Sequence, residues 1–232
     1  MKISGTLEKQ RKLKKEYYIY RKTEGGLKLT VGFVKFKRSF YIKIKLEETK
    51  EDNMHYAKIK NCDVANGTGV RVSLFVSGCT HHCKNCFNKE AWDFNYGNEF
   101  TEKEEKVILD DLKPEYISGL SLLGGEPFEY PNQQGLAPLV KKVKEQYPEK
   151  EIWCYTGYKF DEDILGNMAK KYECTNEMLK NIDYLVDGQF VEDLKSPKLK
   201  FKGSSNQRII DVKKSLAENK IILWEGDINN HI

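Results

Sequence analysis

Three cysteines fall inside eleven residues of this chain, in the run Gly78-Cys79-Thr80-His81-His82-Cys83-Lys84-Asn85-Cys86-Phe87-Asn88. A loop that short cannot spread three thiols over separate disulfides, because bridged Cα atoms must face each other across only a few ångströms. It can wrap three thiolates around one polynuclear centre. An iron–sulfur cubane has four irons and normally takes four cysteines. Three cysteines leave one iron without a protein ligand, and an open coordination position is a place for chemistry rather than storage. The alternative is structural zinc, held by the three cysteines with His81, His82 or His231. Zinc ligands usually come as two separated pairs, which a single tight triplet fits poorly. Cys62, Cys154 and Cys174 are scattered singly, and Cys154 reads as a buried strand residue.

The elements that must position this loop are legible around it. Arg71 to Ser77 is a compact apolar strand, and the cysteine loop begins where it ends. Before it, Tyr56 to Lys60 reads as a short strand and Asn61 to Gly69 as a glycine-rich turn. Thr101-Glu102-Lys103-Glu104 predicts a capping box that opens a helix to about Leu112. Gly119 to Leu123 is a buried strand closed by Gly124-Gly125-Glu126-Pro127, and Gln133 to Gln146 an amphipathic helix. Glu151 to Tyr155 is a strand followed by Thr156-Gly157-Tyr158. Asp161 to Lys180 is helical with a break near Glu173, and Tyr184 to Val186 a strand followed by Asp187-Gly188. Strand, loop, helix, strand is the grammar of a parallel sheet with helical crossovers. In the tail, Lys198 to Phe201 predicts a strand, Gly203 to Arg208 a polar loop, and Ile221 to Trp224 a last apolar segment.

Length and charge bound the rest. At 232 residues the chain suits one α/β domain with a modest appendage. No apolar run is long enough for a transmembrane helix, and the first residues lack the apolar core of a secretory signal. Six cysteines in such a chain predict a reducing cytoplasm. The net charge of +4 conceals an asymmetry: residues 1–53 carry 15 Lys/Arg against 7 Asp/Glu, the remainder 24 against 28. Overall charge is therefore no argument for nucleic-acid binding by the part that holds the cysteines. Residues 6–15 read as a basic lead-in. Tyr17 to Arg21, Leu27 to Phe36 and Phe40 to Leu46 read as a three-stranded meander with a lysine-studded outer face, and Glu47 to Asn53 as a charged linker. The expected domains are a basic N-terminal extension over 1–53 and the cysteine-bearing domain over 54–232. The extension is either a docking module, since basic faces attract phosphate, or a solvated add-on whose lysines protect a strand edge.

The cysteine spacing after one strand and Gly124-Gly125-Glu126-Pro127 after the next resemble the radical S-adenosylmethionine superfamily. A finer resemblance, to the glycyl-radical enzyme activases of anaerobic ribonucleotide reduction, covers roughly residues 54–210. It rests on Asn66 to Arg71, Leu74 to Cys79, Cys86 to Lys89 with Trp92, Trp153 to Tyr158, Val186-Asp187-Gly188 and Gly203 to Gln207. It implies an α/β fold, an open partial (β/α) barrel, and says nothing of residues 1–53, whose small basic β module is read from the residues alone. It implies a [4Fe–4S] cluster on Cys79, Cys83 and Cys86, with S-adenosyl-L-methionine chelating the open iron. One electron then cleaves the sulfonium and the resulting radical abstracts hydrogen from a glycine of a partner protein, an oxidoreductase reaction in which the cofactor carries the difficult chemistry.

The implied cofactor contacts are Asn85, Cys86, Phe87, Gly124, Gly125 and Glu126. Superfamily members often carry an aromatic at the position of Asn85; here Phe87, just after the third cysteine, takes that place, either stacked on adenine or as a core aromatic. Gly124 and Gly125 admit the methionine moiety or form an ordinary turn, and Glu126, where these activases often have Asp, accepts from its ammonium group. Asn206, Gln207 and Arg208 line the site or form a polar capping loop. His81 and His82 read as solvent-facing, and Trp92 and Trp153 as core. The implied partners are a large anaerobic ribonucleotide reductase subunit and a flavodoxin- or ferredoxin-like electron donor, with no membrane or nucleic acid. The rivals are activation of another glycyl-radical enzyme such as pyruvate formate-lyase, whose activases generally lack the Gly-Ser-Ser-Asn-Gln match, and a non-catalytic iron–sulfur or zinc-stabilised interaction domain.

Overall fold

In a computed structural model that describes residues 16–22, 27–36, 39–48 and 54–228, the chain divides into two compact units at Asp52/Asn53. The first holds β1 (Glu16–Lys22), β2 (Leu27–Phe36) and β3 (Ser39–Glu48), an antiparallel meander in that order. Its last strand runs further than the pattern predicts: Glu47 and Glu48 pair with Lys28 and Leu27 rather than opening a linker. The lead-in at 6–15, the linker at 49–53 and the lysine face of the meander lie outside the described residues and side chains.

The second unit is a mixed α/β structure built on a seven-stranded sheet. Its strands are β4 (His55–Asp63), β5 (Val70–Val76), β6 (Asn98–Glu99), β7 (Ile117–Gly124), β8 (Glu151–Tyr155), β9 (Tyr184–Asp187) and β10 (Arg208–Asp211). They lie in the order β10-β9-β8-β7-β5-β4-β6, so the sheet is open. β5, β7, β8 and β9 run parallel; β4 and β10 flank them antiparallel. Four parallel neighbours bring four strand C-termini, and the loops that follow them, to one edge. Such sheets bind ligands outside that edge.

The helices cover the sheet where the sequence periodicity requires. α1 (Glu102–Asp111) opens on the predicted capping box, with Thr101 and Glu104 exchanging hydrogen bonds. α2 (Tyr130–Gln146) starts three residues earlier than its apolar pattern, since Pro131 is tolerated in a first turn. After β8 a wide π-type turn spans Phe160–Met168 and continues into α3 (Ala169–Lys171). Extended Tyr172 breaks the run before α4 (Glu173–Asn181), at the predicted place. α5 (Val212–Glu218) and the short α6 (Glu225–Ile228) close the unit.

Both sheet faces are buried. Leu120, Leu122, Ile152, Cys154, Leu185 and Ile210 join Leu136, Val140 and Ile164 in the main core, each such side chain contributing about 1.5–3 kcal/mol. The alternate residues Trp153, Val186 and Ile209 pack on the other face with Tyr155, Tyr184, Phe201 and Trp224. The predicted strand over 198–201 is absent. Phe201 takes a left-handed φ of 58°, which no strand accommodates, and its ring packs on Trp153 and Trp224.

The opposite edge of the sheet is pinned by Arg71, which is fully buried. Its guanidinium donates to Ser121 Oγ at 2.8 Å and to the carbonyls of Thr68 (3.0 Å), Leu120 (3.0 Å) and Glu151 (2.6 Å). One side chain thus ties the turn before β5 to β7 and β8. Burial lowers its pKa to about 10, against the pull of Glu151, so the group stays charged near neutral pH. Arg71→Met removes the guanidinium donors from those carbonyls. It is expected to lower stability by about 3 kcal/mol or more, read by urea denaturation.

Candidate cluster and cofactor site

The stem of the cysteine loop is fastened by its own backbone. Gly78 N–H donates to Ala91 O at 2.8 Å and Cys79 N–H to Trp92 O at 3.1 Å, closing the loop at a short 3-10 turn, Lys89–Trp92. Within it His82 (φ 48°) and Asn85 (φ 56°) are left-handed. Interspersing left-handed residues turns successive N–H groups toward one side, a concavity suited to anionic sulfur. The amides of His81 and His82 face the Cys79 thiol, and Asn88 N–H donates to Cys86 Sγ at 3.4 Å. Cys79 is buried, Cys83 and Cys86 half-buried, and all six cysteines are free thiols. Burial, outweighing those amides, pushes the Cys79 thiol up to about 12. A metal centre that takes it must displace a proton.

The donor set fits an iron–sulfur centre. Among the described residues no three His, Cys, Asp or Glu side chains crowd closely enough to close on a single ion. A cubane asks less crowding, because each thiolate takes its own iron. Backbone amides directed at the sulfurs are the remaining requirement, and the loop supplies them.

The loop after β7 presses against that stem. Gly125 N–H donates to Val76 O (2.7 Å) and Glu126 N–H to Gly78 O (2.8 Å). A Cβ on Gly124, whose φ is +114°, would stand 2.6 Å from the Val76 backbone; one on Gly125 would stand 2.5 Å from Gly78 O. The glycine pair is therefore required by the close passage of two backbones.

Glu126 is buried at 1% exposure. Its Oε1 accepts from Phe128 N (2.8 Å) and Thr156 Oγ1 (2.7 Å). Its Oε2 accepts from Gly157 N (2.7 Å) and lies 3.0 Å from His81 Nε2. Three loops meet on one carboxylate whose four acceptor positions are filled. The His81 ring also lies against Tyr158, centroids 4.3 Å apart. Burial opposes its protonation, but the hydrogen bond and charge of Glu126 prevail and hold its pKa above the ordinary value. The expectation of a solvent-facing His81 is thus corrected; His82 is exposed as expected, its ring against Trp92.

The loop after β9 is stitched to itself. Gln207 Oε1 accepts from Gly203 N (2.7 Å) and Ser204 N (3.1 Å), and its Nε2 donates to Gly188 O (2.8 Å). Asn206 donates to Gln189 O, and Gln189 in turn reaches His81 O at 3.3 Å. Arg208 forks onto Asp187 and reaches Asp161. The side chains of Asn206, Gln207 and Arg208 are thus each engaged within this loop or with its neighbours.

The remaining residues sort by place. Phe87 is 90% exposed, which removes its core reading, and Asn85 is exposed beside it. Trp153 and Cys154 are core as expected, whereas Trp92 is only half-buried. Asn66 to Arg71 lie at the far edge of the sheet, where Gly69 (φ +73°) passes so near Ser118 that a Cβ would collide. Glu129, which sequence reasoning passed over, accepts from Thr80 and Tyr158. A carboxylate three residues after Glu126 was the only signal for it.

Comparison with known proteins gives the family. A family model described as "4Fe-4S single cluster domain" matches residues 65–210, a span that includes all four loops. The matched span thus belongs to the class of single-cluster iron–sulfur domains. The anaerobic ribonucleoside-triphosphate reductase-activating protein of Haemophilus influenzae is 43% identical over 158 residues, 67% of this chain and 97% of that protein. Proteins of the same name are 42% identical in Escherichia coli (66% of this chain, 96% of that protein) and 40% in Vibrio cholerae (67% and 97%). The chain belongs to the family of anaerobic ribonucleoside-triphosphate reductase-activating proteins.

A Cβ on Gly157 would stand 2.5 Å from the His81 ring, which Glu126 and Tyr158 hold in place. Gly157→Ala is expected to cost about 1–3 kcal/mol in thermal or urea unfolding. In the metal-free chain it should also speed alkylation of the buried Cys79, followed by peptide mass spectrometry.

Proposed function

We propose that this chain activates an anaerobic ribonucleoside-triphosphate reductase by removing a hydrogen atom from a glycine of that large subunit, leaving a glycyl radical. Cys79, Cys83 and Cys86 hold a [4Fe–4S] cluster through their thiolates, and S-adenosyl-L-methionine binds beside them. When bound, the two supply a one-electron cleavage of a sulfonium carbon–sulfur bond, the source of the hydrogen-abstracting species. The observation that carries this reading is the arrival of a three-cysteine loop, buttressed by its neighbours, at the shared edge of four parallel strands. The family of the chain and the printed names of its relatives support it.

Residue roles follow. Exposed Phe87 offers a ring for adenine to stack on, with Asn85 beside it. Gly124 and Gly125 let the β7 loop lie on the stem of the cysteine loop, which brings its backbone beside the methionine moiety. Glu126 reaches its ammonium group only by exchanging one of four protein donors for it. His81 Nε2 is the one of those four that comes from the cysteine loop. Residues 54–232 form the catalytic domain, whose open sheet curves as a partial (β/α) barrel, and residues 1–53 an appended module. A flavodoxin- or ferredoxin-like donor in the cytoplasm supplies the electron, because the cluster works at very low potential. No helix among the described residues is long and apolar enough to cross a membrane.

Anaerobic reconstitution with iron and sulfide should give about four irons per chain. Reduction with S-adenosyl-L-methionine should then release 5′-deoxyadenosine. Alanine at Cys79, Cys83 or Cys86 should abolish that release, while Cys62→Ser, at an exposed thiol, leaves it unchanged. Mixing with the reductase should produce a glycyl-radical EPR doublet; iron binding without 5′-deoxyadenosine would rule the activase out. Phe87→Ala should weaken S-adenosyl-L-methionine binding by about two- to tenfold in calorimetry. It should leave the unfolding curve in place.

A further inference from the structure

Glu129 is the N-cap residue of α2, yet its side chain makes no hydrogen bond to its own helix. An N-cap carboxylate ordinarily accepts from the first-turn amides. Here it is turned toward the cysteine loop instead. Its Oε1 accepts from Thr80 N at 3.0 Å, from Thr80 Oγ1 at 2.5 Å and from Tyr158 OH at 3.2 Å. All three donors converge on one oxygen.

Thr80 follows Cys79 directly, and His81 follows Thr80. Glu129 therefore fixes the peptide on one side of the first thiol's span, while Glu126 fixes the His81 ring on the other. Tyr158 joins the two, its hydroxyl on Glu129 and its ring on His81. The amides of His81 and His82 face Cys79 Sγ, so pinning Thr80 and His81 sets the direction of those amides. The β7–α2 segment thus grips the Cys79–Cys83 span with two carboxylates three residues apart.

We propose that Glu129 is a positioning residue of the cysteine loop, acting through the reach of its Oε1 as a hydrogen-bond acceptor and not through its charge. The consequence at the cluster rests on the proposed function; the hydrogen bond itself does not. Because the three contacts use a single oxygen, a carboxamide can reproduce them and a shorter carboxylate cannot.

The test uses three variants of the full chain, Glu129→Gln, Glu129→Asp and Glu129→Ala. The first readout is hydrogen exchange of the Thr80 amide by NMR in the metal-free protein. Glu129→Gln should keep its protection near that of the unmodified chain, whereas Glu129→Asp and Glu129→Ala should each lose about tenfold or more. The second readout is the EPR spectrum of the reduced, reconstituted cluster, expected to be unchanged in Glu129→Gln and shifted or lost in the other two. Equal loss of protection in Glu129→Gln and Glu129→Ala, with Glu129→Asp intact, would assign the role to charge and overturn the proposal. So would full protection in all three. If the unmodified chain takes up no cluster, the proposed function fails, while the exchange contrast still decides the role of Glu129. Should Glu129→Ala not fold, the contrast between Glu129→Gln and Glu129→Asp suffices.

Discussion

The site depends on one buried carboxylate. Glu126 accepts from Phe128 in its own loop, from Thr156 and Gly157 in the next, and faces His81 in the cysteine loop. A carboxylate at 1% exposure is costly unless its oxygens are satisfied. Here the requirement works in reverse: satisfying it forces three separate loops into one arrangement. The glycines around it follow from the same constraint. Gly124 and Gly125 allow the β7 loop to lie on the stem of the cysteine loop, and Gly157 leaves room for the His81 ring. Fixing the cysteine loop before any metal arrives reduces the conformational entropy that binding must otherwise remove.

A second buried charge does the equivalent work at the far edge of the sheet. Arg71 gathers carbonyls from the turn before β5 and from β7 and β8. The strands are thus registered at their starts by a cation and at their ends by an anion. Strand length sets the distance between the two, and the loops between Ser77 and Gln207 are free to carry chemistry. The loop after β9 follows the same logic with Asp187, which receives Arg208 and the Phe160 amide.

Local chemistry was readable in the sequence; tertiary partnership was not. The Thr101–Glu104 capping box and the β8 run from Glu151 to Tyr155 each depend on neighbours a few residues away, and each stands where its pattern placed it. His81 was read as solvent-facing and Glu129 was passed over because their partners lie 45 and 49 residues distant. Nor does the sequence show why residue 157 is glycine, since the ring it accommodates comes from another loop. The false strand at 198–201 has a related cause. Phe201 packs on Trp153 and Trp224 in a left-handed conformation that no strand accommodates. The true edge strand, Arg208–Asp211, contains only two apolar residues between charged ones, too short a run for periodicity to register.

The central claim is that Cys79, Cys83 and Cys86 present one cluster with a corner open to a small ligand. Mössbauer spectroscopy of the iron-57-reconstituted protein, with and without S-adenosyl-L-methionine, tests it most directly. The account predicts that one iron in about four changes its isomer shift when the ligand is added, the others staying as they were. A spectrum in which every iron is indifferent to the ligand would mean that the corner is already filled, and would contradict it.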